Sequence, residues 1–216
     1  MKPYYSDSLV TIYHGDCREI PAWLDADVLV TDPPYGVRWQ GYANKGQARI
    51  PIAGDEDTSV RDRVLEMWGD KPALVFGSWR VAMPRNTRNR LIWYKRGQNP
   101  GPLNAPFMSQ DEEIYVVGDG FISTSPPLRS VIETRENRSA EVVAIGHPTP
   151  KPIALLNILL GRCVGVVADP FMGSGSTLRA AKDLNRKAIG IEIEERYCEI
   201  AAERCRQEVL DIGAAG

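Results

Sequence analysis

The 216-residue chain holds only two histidines, His14 and His147, and four cysteines, none of them in a C-x-x-C pair. A zinc centre needs clustered His or Cys ligands, so this pattern argues against a metal site. It predicts instead free thiols at Cys17, Cys163, Cys198 and Cys205 in a reducing compartment. No stretch supplies the ~20 apolar residues of a membrane span, so no membrane partner is expected. The opening "MKPYYSDSLVTIYHGD" lacks the apolar core of a secretory leader, and a cytoplasmic protein is expected. A further absence is local. The chain has a net charge of −2, yet no acidic residue lies between Lys71 and Gln110. Lys71, Arg80, Arg85, Arg88, Arg90, Lys95 and Arg96 fall there, interleaved with Trp79, Trp93 and Tyr94. A basic stripe of this kind is the footprint of phosphate contacts. A solvated face that balances the acidic C-terminal third accounts for it equally well.

What the chain does have is alternation. Short apolar runs at 26–31, 73–78, 90–95, 112–118, 164–169 and 187–192 read as strands. "TPKPIALLNILLG" (149–161) reads as a helix entered through Pro152 and left at Gly161. "GSTLRAAKDLN" (175–185) reads as another. A third follows Glu192, with an apolar stripe at Tyr197, Ile200, Ala201, Cys205 and Val209. Strands alternating with helices predict an α/β fold, a mostly parallel twisted sheet with helices on both faces. The length suits one domain over 1–216. The polar segments 36–57, 97–110 and 119–146 are long for plain connections, which marks them as functional or disordered.

Two motifs carry chemistry. In "VTDPPYGVRW" (30–39), Pro33 and Pro34 stand between Asp32 and Tyr35, directly after an apolar run. A central strand cannot pass through two prolines, so the pair forms a rigid turn that aims Asp32 and Tyr35. "VVADPFMGSGSTLRAA" runs from a strand through Asp169 and a glycine turn into a helix, the way α/β folds build a ligand crevice. Gly173 and Gly175 allow close backbone approach. Position 178 is Leu, so the dinucleotide fingerprint is incomplete, and no G-K-[ST] follows. Glu192 lies 19 residues after Gly173 at the end of the next strand. An acid there binds the ribose hydroxyls of an adenosine group. The ligand therefore contains adenosine and need not carry phosphates. S-adenosyl-L-methionine fits.

"VTDPPYG" followed by "DPFMGSGST" resembles the beta class of DNA amino-methyltransferases, in which the catalytic tetrapeptide precedes the cofactor loop, a circularly permuted order of the methyltransferase motifs. "YHGDC" (13–17), "LIWYKRG" (91–97), "HPTPKPIALL" (147–156) and "IGIEIEERYCEIAAER" resemble further segments of that family, in the same order. The family often has Gly-Ser-Gly-Thr-Thr, and here Ser176 replaces the first Thr. The resemblance covers nearly the whole chain except 36–70 and 98–146.

The resemblance implies a Rossmann-like methyltransferase fold and transfer of a methyl group from S-adenosyl-L-methionine to an exocyclic amino group of a flipped base in double-stranded DNA. It implies that the Asp32 side chain and the Pro33 carbonyl accept the amino hydrogens, within a catalytic set of Asp32, Pro33, Pro34 and Tyr35. Tyr35 would stack on the base. It implies a cofactor site of Asp16, Cys17, Asp32, Thr149, Lys151, Asp169, Phe171, Gly173, Ser174, Gly175, Ser176 and Glu192. The expected DNA contacts are Arg80, Arg85, Arg88, Lys95, Arg96, Arg129, Arg135 and Arg138. Residues 98–146, with the loop 36–57, are the expected target-recognition insert. A region this short suits a short site, or a homodimer that widens the footprint. Adenine N6 is the expected acceptor. Cytosine N4, an RNA base and a catalytically silent DNA-binding relative are the alternatives. A separate restriction endonuclease would be a partner if the chain belongs to a restriction–modification pair, and the setting would be a bacterium or a phage-infected cell. A cytosine-C5 mechanism is not expected, since no cysteine follows a proline.

Overall fold

The structure, a computed structural model, describes residues 1–38, 53–96, 106–107, 109–123, 125–134 and 150–207. The described strands are β1 (Tyr5–Ser6), β2 (Val10–His14), β3 (Val28–Thr31), β4 (Ala73–Gly77), β5 (Thr87–Lys95), β6 (Asp111–Val117), β7 (Val131–Thr134), β8 (Val167–Asp169) and β9 (Ala188–Glu192). The helices are α1 (Ser59–Trp68), α2 (Ile153–Leu160), α3 (Ser176–Asp183) and α4 (Glu195–Arg206), with a 3-10 turn over Pro21–Asp25. All nine strands join one sheet in the order β1-β2-β9-β8-β3-β4-β6-β5-β7. The run from β2 to β4 is parallel throughout. β1 is antiparallel to β2, and β6 is antiparallel to both β4 and β5, while β7 is parallel to β5.

Burial explains the strand sequences. β3 (VLVT) and β4 (ALVFG) are buried at every position, as continuous apolar strands covered on both faces must be. One covering layer is α2, α3 and α4, which contribute Leu155, Leu156, Leu159, Leu160, Leu178, Ala180, Ala181, Cys198, Ala201, Ala202 and Cys205 to the larger core. The other is the 3-10 turn and α1, whose Trp23, Val64 and Trp68 fill the second core. There the Trp23 and Trp68 rings stack with centroids 5.7 Å apart, and the Trp23 indole N–H donates to the Cys17 carbonyl at 2.8 Å. All four cysteines are buried and free. Burial pushes the thiols of Cys163 and Cys205 up to about 11 and those of Cys17 and Cys198 up to about 12, so they pack as small apolar groups.

The six expected strands and the three expected helices are present, with shifted ends. The C-terminal helix departs in its face: Cys198 and Ala202 are buried with Ala201 and Cys205, whereas Tyr197 and Ile200 are only half-buried. Val209 lies outside the described residues. The stretch 98–146 is not an appendage throughout, because it supplies β6 and β7 to the central sheet. β6 runs back antiparallel to β5 and fills the slot between β4 and β5, and β7 lies on the other side of β5.

Candidate active site

Parallel strands bring their carboxyl ends to one edge of the sheet. Three neighbouring strands, β9, β8 and β3, end there at Glu192, Asp169 and Thr31, with Asp32 following. Adjacent strands lie ~4.8 Å apart, so three carboxylates separated by up to 160 residues of chain share one crevice.

The Asp32 turn is fixed at both ends. β3 holds its entrance. At its exit Gly36 has φ +77°, and a Cβ there would meet the Asp57 backbone at 2.4 Å, so only glycine fits. The Gly36 N–H donates to the carboxylate of buried Asp55 at 2.7 Å. Between these clamps the Tyr35 hydroxyl donates to Asp32 Oδ1 at 2.7 Å, and the Lys151 ammonium meets Asp32 Oδ2 at 2.7 Å. Lys151 also donates to the Tyr35 oxygen at 3.2 Å and lies 3.0 Å from Glu112 Oε2. Glu112 in turn is bonded to Lys95 through its other oxygen. Asp32, Lys151, Glu112 and Lys95 thus form a chain of alternating charge. Burial would raise the Glu112 carboxyl, but Lys151 and Lys95 outweigh it and bring it down to about 2.

The glycine loop leads from β8 into α3. Gly175 has φ +76°, and a Cβ there would lie 2.7 Å from the Ala201 side chain. Its conformation and its close approach to α4 both call for glycine. Glu192 accepts the Gly173 N–H at 2.9 Å through Oε2 and the Glu194 N–H at 2.8 Å through Oε1. Burial raises its carboxyl above the ordinary range, and these N–H groups oppose the rise. Asp169 is fully buried and accepts hydrogen bonds from Thr31 Oγ1 at 2.7 Å and the Phe171 N–H at 3.1 Å. Burial pushes its carboxyl up to about 7, against the pull of Thr31 and Thr177. Asp16 follows β2 beside β9, whose end is held by a Gly15 N–H bond to the Glu192 carbonyl at 2.8 Å. Its carboxylate is taken by Arg18 at 2.5 Å, which lowers it.

Several of the expected site residues have partners within the protein. Arg204 of α4 lies 3.3 Å from Ser174 Oγ and 3.2 Å from Ser176 Oγ, and it donates to the Ser174 carbonyl at 2.7 Å. These serines therefore tie the glycine loop to α4. Cys17 belongs to the second core, and half-buried Phe171 packs against it. Lys151 sits on the Asp32 carboxylate. Thr149 lies outside the described residues.

The basic stripe divides. Lys95, an expected DNA contact, is buried against Glu112 and over the Trp93 ring. Trp93 is itself core, its N–H bonded to Thr134 Oγ1 at 2.7 Å. Arg80 and Arg96 follow the carboxyl ends of β4 and β5 and lie at the crevice edge, where Arg96 pairs with Glu133 at 2.8 Å. Arg85 and Arg88 lie at the amino end of β5, on the opposite edge, where Arg88 pairs with Asp119 at 3.2 Å. Arg129 precedes β7, which starts opposite Ile92 partway along β5, and lines a groove of about 460 Å³ with Leu128, Val131, Ile158 and Arg162. Arg135 and Arg138 lie outside the described residues. Trp79, beside Arg80 at the crevice edge, is 68% exposed.

A doubly wound sheet with its acids and glycine loop at the carboxyl edge is a protein that binds ligands at that edge. The family model described as DNA methylase, of the N6/N4 methyltransferase type, matches residues 92–203, just over half of the chain. The chain belongs to that family. It is 26% identical to the Type II methyltransferase M.ScaI of Streptomyces caespitosus, over 98% of this chain and 86% of that one. Among solved structures it resembles the M1.HpyAVI–SAM complex, with TM-score 0.68, 24% identity, and coverage of 92% of this chain and all of that one. It also resembles the cytosine-N4-specific PvuII DNA methyltransferase, with TM-score 0.64, 15% identity, and coverage of 99% and 91%. The last two likenesses show a shared fold. Among the described residues no helix is long and apolar enough to cross a membrane.

Proposed function

We propose that the chain transfers a methyl group from S-adenosyl-L-methionine to the exocyclic amino nitrogen of a base flipped out of double-stranded DNA, with adenine N6 as the acceptor. The observation that carries the reading is the convergence of Glu192 and Asp32 on one crevice, two strand spacings or ~10 Å apart. One acid suits the ribose end of an adenosine ligand, and the other suits the reacting end.

The residues present fit the cofactor. Two backbone N–H groups occupy one position on each Glu192 oxygen. A carboxylate has about four acceptor positions, so capacity remains for two hydroxyls. When bound, the cofactor supplies an activated methyl group on a sulfonium. The chain supplies the rest. An exocyclic amino group is a poor nucleophile because its lone pair is delocalised into the ring. Asp32 and the Pro33 carbonyl, accepting its two hydrogens, favour a more tetrahedral nitrogen. The carboxylate also stabilises the positive charge that develops there. The prolines lock the carbonyl direction before binding, so little freedom is lost. Tyr35 stacking on the base would return ~1–3 kcal/mol of the unstacking cost. Residues 36–57 and the connections within 98–146 carry recognition of a short site in this reading. Arg80, Arg96 and the exposed Trp79 are the crevice-edge contacts.

Cytosine N4 presents the same amino group, and Asp at the first position of the tetrapeptide favours adenine by family resemblance. Nucleoside mass spectrometry of DNA exposed to the protein and S-adenosyl-L-methionine decides between them. N6-methyladenine is expected. N4-methylcytosine as the sole product would change the base and leave the chemistry, and no methylated base would overturn the activity.

A further inference from the structure

We propose that Lys151 is a positioning residue that keeps Asp32 ionised and aimed, and that its own place is set by Glu112 and Lys95. The inference rests on the reading of Asp32 as the carboxylate that accepts the amino hydrogens. It gives Lys151 a part in base chemistry, where the sequence motif suggested a neighbour of the cofactor.

The geometry argues it. Of the acids in its crevice, Asp32 has Asp169 on the neighbouring β8 and, across Lys151, Glu112 on β6 beside it, with Glu192 two strands away. Like charges in such a place favour protonation, and a protonated Asp32 has lost acceptor capacity to a donor. Among the described residues the cations near this group are Lys151, at 2.7 Å, and behind it Lys95. The neutral titratable neighbour is Tyr35, whose hydroxyl donates to Asp32 Oδ1 at 2.7 Å. Lys151 is buried, against the aromatic faces of Phe76 at 4.9 Å and Tyr35 at 5.7 Å. Burial would favour its neutral form, but Asp32 and Glu112 outweigh burial and raise its pKa above the ordinary value. A cation held so firmly charged, with one carboxylate on each side, fixes the direction of Asp32 Oδ2. Glu112 stops Lys151 from neutralising Asp32 outright, and Lys95 stops Glu112 from claiming Lys151 alone.

The charge pattern predicts opposite signs for two substitutions. Lys151→Met removes the cation and leaves three acids, so the Asp32 midpoint moves to higher pH. Glu112→Gln leaves two ammonium groups and one fewer acid, so the midpoint moves to lower pH. Lys151→Arg restores it. The experiment is a carbon-13 NMR titration of the Asp32 carboxyl in each variant of the full chain, paired with the pH dependence of kcat on DNA and calorimetric titration with S-adenosyl-L-methionine. The expected results are a midpoint at least one pH unit higher in Lys151→Met, an acid limb of kcat that follows it, and a cofactor Kd within about threefold of the parent chain. If Lys151→Met does not fold, the downward shift in Glu112→Gln carries the test. An unmoved midpoint in the folded variants overturns the inference, as does a shift that kcat ignores, or a tenfold loss of cofactor affinity with the limb in place. An inactive parent chain whose Asp32 midpoint still answers to Lys151 refutes the methyl-transfer reading and leaves the ion-pair assignment standing.

Discussion

The two halves of the crevice treat their acids differently. On the β9 and β8 side, Glu192 and Asp169 are held by backbone N–H and hydroxyl donors, and burial leaves both carboxyls raised. On the β3 and β6 side, Asp32 and Glu112 are held by lysines, and Glu112 is brought down to about 2. The first arrangement presents fixed acceptors to hydroxyl groups and needs no full charge nearby. In the proposed function the second sets a carboxylate beside a cation where positive charge would develop. A buried ion chain is costly to desolvate and weak evidence for stability, so its presence on the reacting side only is an argument about chemistry.

Exchanging the two sides is the sharpest way to break this comparison. Asp32→Ala should lower turnover at least ~10²–10³-fold, the scale for removal of one transition-state acceptor or donor, with cofactor affinity unchanged. Glu192→Ala should weaken cofactor binding at least tenfold, since charge-assisted hydrogen bonds contribute ~1.5–3 kcal/mol. Calorimetry with S-adenosyl-L-methionine and single-turnover methylation on each variant separate the effects. If both lower affinity equally, the crevice has no division of labour.

The same contrast was only partly readable in the sequence. The Asp32 turn, the glycine loop and Glu192 are local signals. Prolines, glycines and an acid at a fixed offset from a strand end act through their own backbone geometry. The ion chain is not local, since Lys95, Glu112 and Lys151 come from β5, β6 and the entry to α2. Only the antiparallel insertion of β6 brings Glu112 to the carboxyl edge. That insertion also divides the basic stripe. A stripe along the chain becomes two clusters at opposite sheet edges once β5 has carried the chain across, and Lys95 is drawn inside by Glu112. α1 escaped notice for a different reason. Its sequence, SVRDRVLEMW, buries only Arg61, Val64 and Trp68, too few apolar positions to show a stripe. β2 and β7 are short strands with half-buried or exposed alternate positions, which read as connection.

A second test uses pH and stability. Asp169 has a folded pKa of about 7 against an ordinary 3.8. Between those values the folded state holds a proton that the unfolded state has released. Stability therefore falls as pH rises from about 4 to 7, by an amount on the order of a few kcal/mol. Glu112 acts with the opposite sign: its folded pKa of about 2 lies below the ordinary 4.5, so its contribution is present above pH 4.5 and is lost as pH falls through 2. Urea unfolding of the ligand-free chain and of Asp169→Asn at pH 5 and pH 8 is the measurement. The variant should gain on the parent chain as pH rises. An equal difference at the two pH values would mean that Asp169 is already ionised, and the contrast between the halves would be lost.

The smallest effect concerns the two edges of the sheet. In the proposed function, DNA engaged at Asp32 is expected to reach Arg80, which follows β4 at the crevice, and not Arg88, which starts β5 at the far edge and pairs with Asp119. Each phosphate contact that is removed lowers the slope of log affinity against log salt by about one unit. Arg80→Ala should show that loss, which amounts to roughly a fourfold change in relative affinity between 50 and 200 mM salt. Arg88→Ala should leave the slope alone, although the sequence placed both residues in one stripe. Fluorescence anisotropy on a labelled duplex across that salt range reads both variants against the parent chain. Equal slopes for the two would show that neither edge is privileged. A loss confined to Arg88→Ala would place the duplex on the far edge, away from Asp32, and the crevice could then not be where the base is held.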